Sequence, residues 1–153
     1  MLTIKNNPKI YIENIRLSPG QQAKKTGQWA KTMTKWLITY STKGGKKWHF
    51  VSFEGAKGGE SRGIVDFIAI RRDHKYCEPP LKIGDLFEII LIQVKGGSAS
   101  KPTPDEITRL LKVGKYYKAK KIILSNWQKG KPPTFEYLTK NSVKKLTAKE
   151  AFI

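Results

Sequence analysis

Asp66, Gln93 and Lys95 are the residues of this chain whose types and spacing could do chemistry. Asp66 closes the run Gly63-Ile64-Val65-Asp66, and the other two belong to Ile92-Gln93-Val94-Lys95-Gly96-Gly97. If the two runs pair as antiparallel strands, the start of the first lies beside the end of the second, and Asp66 approaches Gln93 and Lys95. Gln93 and Lys95 are two apart and share one face. A carboxylate and an amide oxygen suit a hard cation, Mg2+ or Mn2+, with the Val94 carbonyl as a further candidate ligand. A lysine beside them can orient a water or stabilise charge on phosphoryl oxygens. The chemistry these types would serve is metal-dependent phosphodiester hydrolysis.

The surrounding elements must bring the two runs together. Trp29, Met33, Trp36, Leu37 and Tyr40 recur at helical spacing after Ser18-Pro19-Gly20, so a first helix over 21–40 is expected to pack that stripe on the core. Residues 47–53 read as a first strand, and 54–63 as a loop holding four glycines. Strand two is expected over 64–70, and strand three over 86–94, whose nearly continuous apolar run suits a central strand covered on both faces. Glu88, five residues before Gln93, points to the opposite face and is left out of the site. Thr103-Pro104-Asp105-Glu106 is a capping box with proline at the first helical position, opening a helix with Ile107, Leu110, Leu111 and Gly114 on one side. Short strands over 121–127 and 134–138 complete an α-β-β-β-α-β-β order: an α/β fold with a central mixed sheet flanked by helices. At 153 residues the chain is expected to be a single domain, 1–153, with its core at about 20–138.

Thirty Lys and Arg against twelve Asp and Glu give a formal charge of +18, which calls for a polyanionic partner, DNA or else RNA. The excess is segregated. Residues 1–50 hold 10 basic and 1 acidic residue and residues 101–153 hold 13 and 4, whereas 51–100, with the candidate site, hold 7 and 7. Lys24, Lys25, Lys31 and Lys35 on the first helix, largely off the aromatic stripe, and Lys57 and Arg62 in the glycine-rich loop are the candidate phosphate contacts. Cys77 has no second thiol for a disulfide, and His49 and His74 have no ligands at zinc spacing. Trp29, Trp36, Trp48 and Trp127 are expected in the core, where an exposed ring would instead be able to stack on a base. Residues 1–7 lack an apolar leader segment and no apolar run reaches membrane-spanning length, so a cytoplasmic protein without a membrane partner is expected.

With its helix, its paired strands carrying Asp66 on one and Gln93-Val94-Lys95 at the end of the other, and its following helix and strand, the chain resembles the PD-(D/E)XK nuclease superfamily. Val65-Asp66 stands at the second motif and Gln93-Val94-Lys95 at the last. The resemblance is nearest to restriction endonucleases acting on modified DNA, which use the Q-x-K form, and to archaeal Holliday-junction resolvases. It implies a restriction-endonuclease-like core and a divalent-metal-dependent DNA endonuclease, used in restriction, repair or mobile-element processing, with Asp66, Gln93 and Lys95 as the active residues. Many members also carry a metal-directing glutamate on the first helix, but residues 21–40 contain no acid. Glu60 in the glycine-rich loop is the nearest replacement ligand, with Glu54 behind it. An amide in place of a carboxylate lowers the negative charge at the site and predicts weaker metal binding. The acid-free helix and Gln93 also fit an alternative, a nucleic-acid-binding module on a nuclease fold that has lost catalysis. A homodimer is expected if both strands of a duplex are to be cut, and a subunit of a larger complex is the other expectation, since so small a chain shows no evident target-recognition domain.

Overall fold

The computed structural model describes residues 16–53, 64–99 and 101–153. They form nine elements: α1 (Pro19–Ser41), β1 (His49–Ser52), β2 (Phe67–Arg72), β3 (Phe87–Gly96), α2 (Pro104–Tyr116), β4 (Lys121–Trp127), β5 (Thr134–Leu138), β6 (Val143–Leu146) and α3 (Ala148–Phe152). The strands make one six-stranded mixed sheet in the order β1-β2-β3-β4-β5-β6. β1, β2 and β3 are antiparallel neighbours, β3 and β4 are parallel, and β4, β5 and β6 are antiparallel again. The parallel step needs a long crossover, which α2 supplies. Among the described residues no helix is long and apolar enough to cross a membrane.

Each sheet face has its own core. On one, Ile38 of α1 and Ala151 and Phe152 of α3 pack with Phe67, Ala69, Ile90, Ile92, Ile123 and Phe135. On the other, Leu110 of α2 packs with Ile64, Ile122, Leu124 and Leu138. β3 therefore contributes alternate residues to two covered faces, as its unbroken apolar run requires.

The two long helices begin where their caps dictate. Ser18 and Thr103 each accept from the backbone of the third helical residue while Gln21 and Glu106 reach back, and Pro19 and Pro104 fill the first helical positions. The buried side of α1 is nevertheless not the aromatic stripe. Trp29, Trp36 and Tyr40 are 50, 54 and 64% exposed, whereas Ala30, Thr34 and Ile38 face inward. Close packing is the reason: a Cβ on Gly96 of β3 would lie 2.9 Å from the Ala30 Cβ and 3.2 Å from the Thr26 carbonyl oxygen. Helix and strand approach too closely to admit rings, and Thr34 crosses the seam by a 2.7 Å hydrogen bond to Ser125. Of the four tryptophans only Trp48 is fully buried.

Two further departures concern extent. The fold does not end at 138. β6 pairs with β5, and α3 returns Phe152 to the core, where its carbonyl accepts from the Trp48 indole at 2.8 Å. Strand two runs from Phe67 to Arg72 rather than over 64–70; Ile64 leaves the ladder to pack under α2.

Candidate functional site at the end of two central strands

The register puts Asp66, just before β2, beside the end of β3. Phe67 pairs with Ile92, yet the amide of Asp66 also donates to the Ile92 carbonyl at 2.9 Å. Two consecutive residues thus oppose one, which is a β-bulge, and a bulge re-aims a side chain. Strict alternation would turn Asp66 to the α2 side. The bulge instead brings its carboxylate to the level of the sheet, with Oδ2 accepting from the Val94 amide at 2.7 Å. Oδ1 lies 3.3 Å from Nζ of Lys31 on α1.

Gln93 and Lys95 lie on the α2 side. Gln93 is buried, 4% exposed, and its Oε1 has no hydrogen-bond partner among the described residues. Lys95 is half-buried and reaches Oε1 of Glu106, in the first turn of α2, at 3.6 Å. The amide of Thr103, which donates to Glu106, holds that carboxyl below its ordinary range, and the charge of Lys95 adds to the effect. Two concavities meet at Lys95. One, of about 630 Å³, opens between the first turns of α1 and the Gly96-Gly97 turn. The other, of about 510 Å³, runs along Asn126, Trp127 and the start of β5.

The expected grouping is therefore present at the level of the backbone and split at the level of the side chains. Asp66 touches the Gln93–Val94 peptide link, while its charge is answered from α1 and that of Lys95 from α2. Among the described residues no cluster of three His, Cys, Asp or Glu side chains forms. Glu60, Glu54, Lys57 and Arg62 lie outside the described residues. The oxygens here that suit a hard cation are those of Asp66, Gln93 Oε1, which has no partner among the described residues, and the Val94 carbonyl, which leaves its strand on the same side as the amide that Asp66 holds; the Gln93 side chain itself lies on the α2 side.

Lys31 and Lys35 lean on the sheet rather than into solvent. Lys31 pairs with Asp66, and Lys35 bonds the Ser52 hydroxyl and lies over the Phe67 ring. Both follow from the displaced helix face: once Ala30 and Thr34 point inward, their neighbours Lys31 and Lys35 lean on the sheet. Lys24 and Lys25 stay exposed. Lys31 and Glu106 are thus the site residues whose part the sequence reading missed. Glu106 carried a signal, since the third position of a capping box is fixed in space beside whatever enters the helix. Glu88 lies on the α1 side, bound by Arg71 and Lys120, and belongs to the core. No family model, curated protein or solved structure matches this chain.

Proposed function

We propose that the chain is a divalent-metal-dependent endonuclease acting on DNA, on a restriction-endonuclease-like core of the PD-(D/E)XK type. The observation that carries the reading is a carboxylate pinned to the strand residue that follows an unsatisfied amide: Asp66 held on the Val94 amide, and Gln93 Oε1 buried without a partner among the described residues. A buried polar atom left unpaired costs about 1–3 kcal/mol, and a ligand role gives that cost a reason. Asp66, Gln93 and the Val94 carbonyl would hold Mg2+ or Mn2+, which supplies charge to the scissile phosphate and acidifies a water. Lys95, paired with Glu106 where two concavities meet, would hold a phosphoryl oxygen as negative charge grows on it. Lys31 neutralises Asp66 until substrate and cation arrive. The basic flanks draw the polyanion to the neutral middle.

The test is cleavage of supercoiled plasmid with Mn2+ or Mg2+, against EDTA. Asp66→Ala and Lys95→Ala should each abolish cutting and leave DNA binding in place, and Gln93→Glu should retain or raise it. Unchanged cutting in both alanine variants refutes the assignment. A second reading, a binding module without catalysis, is favoured by one observation: Asp66 and Lys95 are each already neutralised, by Lys31 and Glu106. It expects tight DNA binding and no cutting under any cation.

A further inference from the structure

Among the described residues, the face of the sheet that carries Gln93 and Lys95 is covered by α2 over its β4 side, and nothing covers it at the far end, over β1 and β2. His49 pairs with Ile70 and Arg72 with Phe87, so these four side chains share that open face. With Lys46, Lys47 and His74 they line a concavity of about 460 Å³. Its rim is cationic and its floor is apolar, with Phe87 58% exposed. Among the described residues no acid lines it, and the nearby Asp73 turns its carboxylate back to the Lys75 amide at 3.0 Å. Arg71, between Ile70 and Arg72, alternates to the other face, where it holds Glu88.

Cations gathered over an apolar floor, with no counter-charge among the described residues, fit a phosphate group whose neighbouring sugar or base meets the ring. We infer that this concavity is a second phosphate-binding site, which clamps the nucleic-acid backbone away from the Asp66–Lys95 end. The inference rests on the nucleic-acid reading above. Six residues of strand separate Asp66 from Arg72, about 20 Å at roughly 3.3 Å per residue. A duplex strand covers that distance in about six nucleotides. Substrate length should therefore matter: a duplex too short to reach both sites loses the clamp.

His49 and His74 are the only histidines of the chain and report on the pocket directly. In nitrogen-labelled protein their ring signals are followed by NMR against inorganic phosphate and against a twelve-base-pair duplex, with His49→Gln assigning them. Both probes should shift both rings, the duplex at far lower concentration. The Lys47→Ala/Arg72→Ala pair should reduce the slope of log affinity against log salt by about two, because each lost phosphate contact removes about one released counterion. The exposed pair Lys140→Ala/Lys144→Ala should leave the slope in place. If the duplex binds and the rings do not move, or if both lysine-containing pairs reduce the slope equally, the clamp is overturned while DNA binding stands. If phosphate moves the rings and no duplex binds, the clamp and the nucleic-acid reading fall together, and the pocket serves a small phosphorylated compound.

Discussion

Replacing Gln93 by methionine should stabilise the cation-free protein and remove its response to a cation. The side chain is 4% exposed and its Oε1 is unpartnered among the described residues. An unsatisfied buried acceptor costs about 1–3 kcal/mol. Methionine has a similar length, is equally unbranched and carries no oxygen, so it fits the same space. After allowing for what the amide nitrogen contributes, the net gain should be about 1 kcal/mol, or about 2–4 °C in Tm for a chain of this size. In the parent protein, Mn2+ at a hundred times its Kd should add about 2.7 kcal/mol if Gln93 is a ligand. The variant should lose most of that increment. Thermal unfolding by circular dichroism, with Mn2+ and with EDTA, reads both effects. A variant less stable than the parent by about 1 kcal/mol or more would mean that the amide is a structural strut. An undiminished Mn2+ shift would place the cation elsewhere.

Two structural predictions follow from the same frame. Gly96→Ala forces a Cβ to within 2.9 Å of the Ala30 Cβ and 3.2 Å of backbone oxygen, and should cost about 1–3 kcal/mol in urea unfolding. Ala30→Gly in the same chain should recover part of the loss, and strict additivity of the two would refute the close-approach account. Glu88 is buried, with Lys120 Nζ 2.6 Å from one oxygen and Arg71 Nε 2.7 Å from the other. Burial pushes its carboxyl up, but the hydrogen bonds and charges of Lys120 and Arg71 outweigh it and hold the group below 4.5. A carboxyl depressed in the folded state stabilises fully above its unfolded pKa and stops doing so as the pH falls through the folded one. Stability should therefore drop on acidification below about pH 4.5, and Glu88→Gln should remove that part of the drop together with about 3 kcal/mol at neutral pH. A variant with parental stability and an unchanged acid limb would show that the triad is idle.

Where a local signal is also the deciding one, the sequence is legible to the residue. Thr103-Pro104-Asp105-Glu106 opens α2 as read, and β4 and β5 occupy 121–127 and 134–138 as read. The face of α1 is different, because apolar side-chain area ranks Trp29, Trp36 and Tyr40 above Ala30 and Thr34, whereas the distance between helix and sheet selects for small size. That distance is set by Gly96, some sixty residues away, and by Ser125. β6 was invisible for another reason. Val143-Lys144-Lys145-Leu146 is an exposed edge strand with no apolar alternation, and lysine on an edge blocks further pairing. α3 did carry a signal, the capping box Thr147 to Glu150, but five residues form a helix only because Phe152 reaches Trp48 and Phe135.

The bulge at Asp66 is the feature on which the site's electrostatics turn. In a regular ladder Asp66 would face the α2 side with Gln93 and Lys95, and carboxylate and ammonium would have each other as the nearest counter-ion. Displaced by one residue, Asp66 meets Lys31 of α1, and Lys95 meets Glu106 of α2. Both charges remain partnered, so the fold keeps its balance, yet the two are kept apart and the neutral Gln93 amide lies between them in sequence. The partners are also weak ones. The contacts are long, 3.3 and 3.6 Å, so on the proposed reading a divalent ion on Asp66 and a phosphate on Lys95 would each meet a counter-ion that can give way. On the proposed reading, a carboxylate held by a backbone amide and paired at longer range with its lysine would be fixed in position for a cation before its charge is committed.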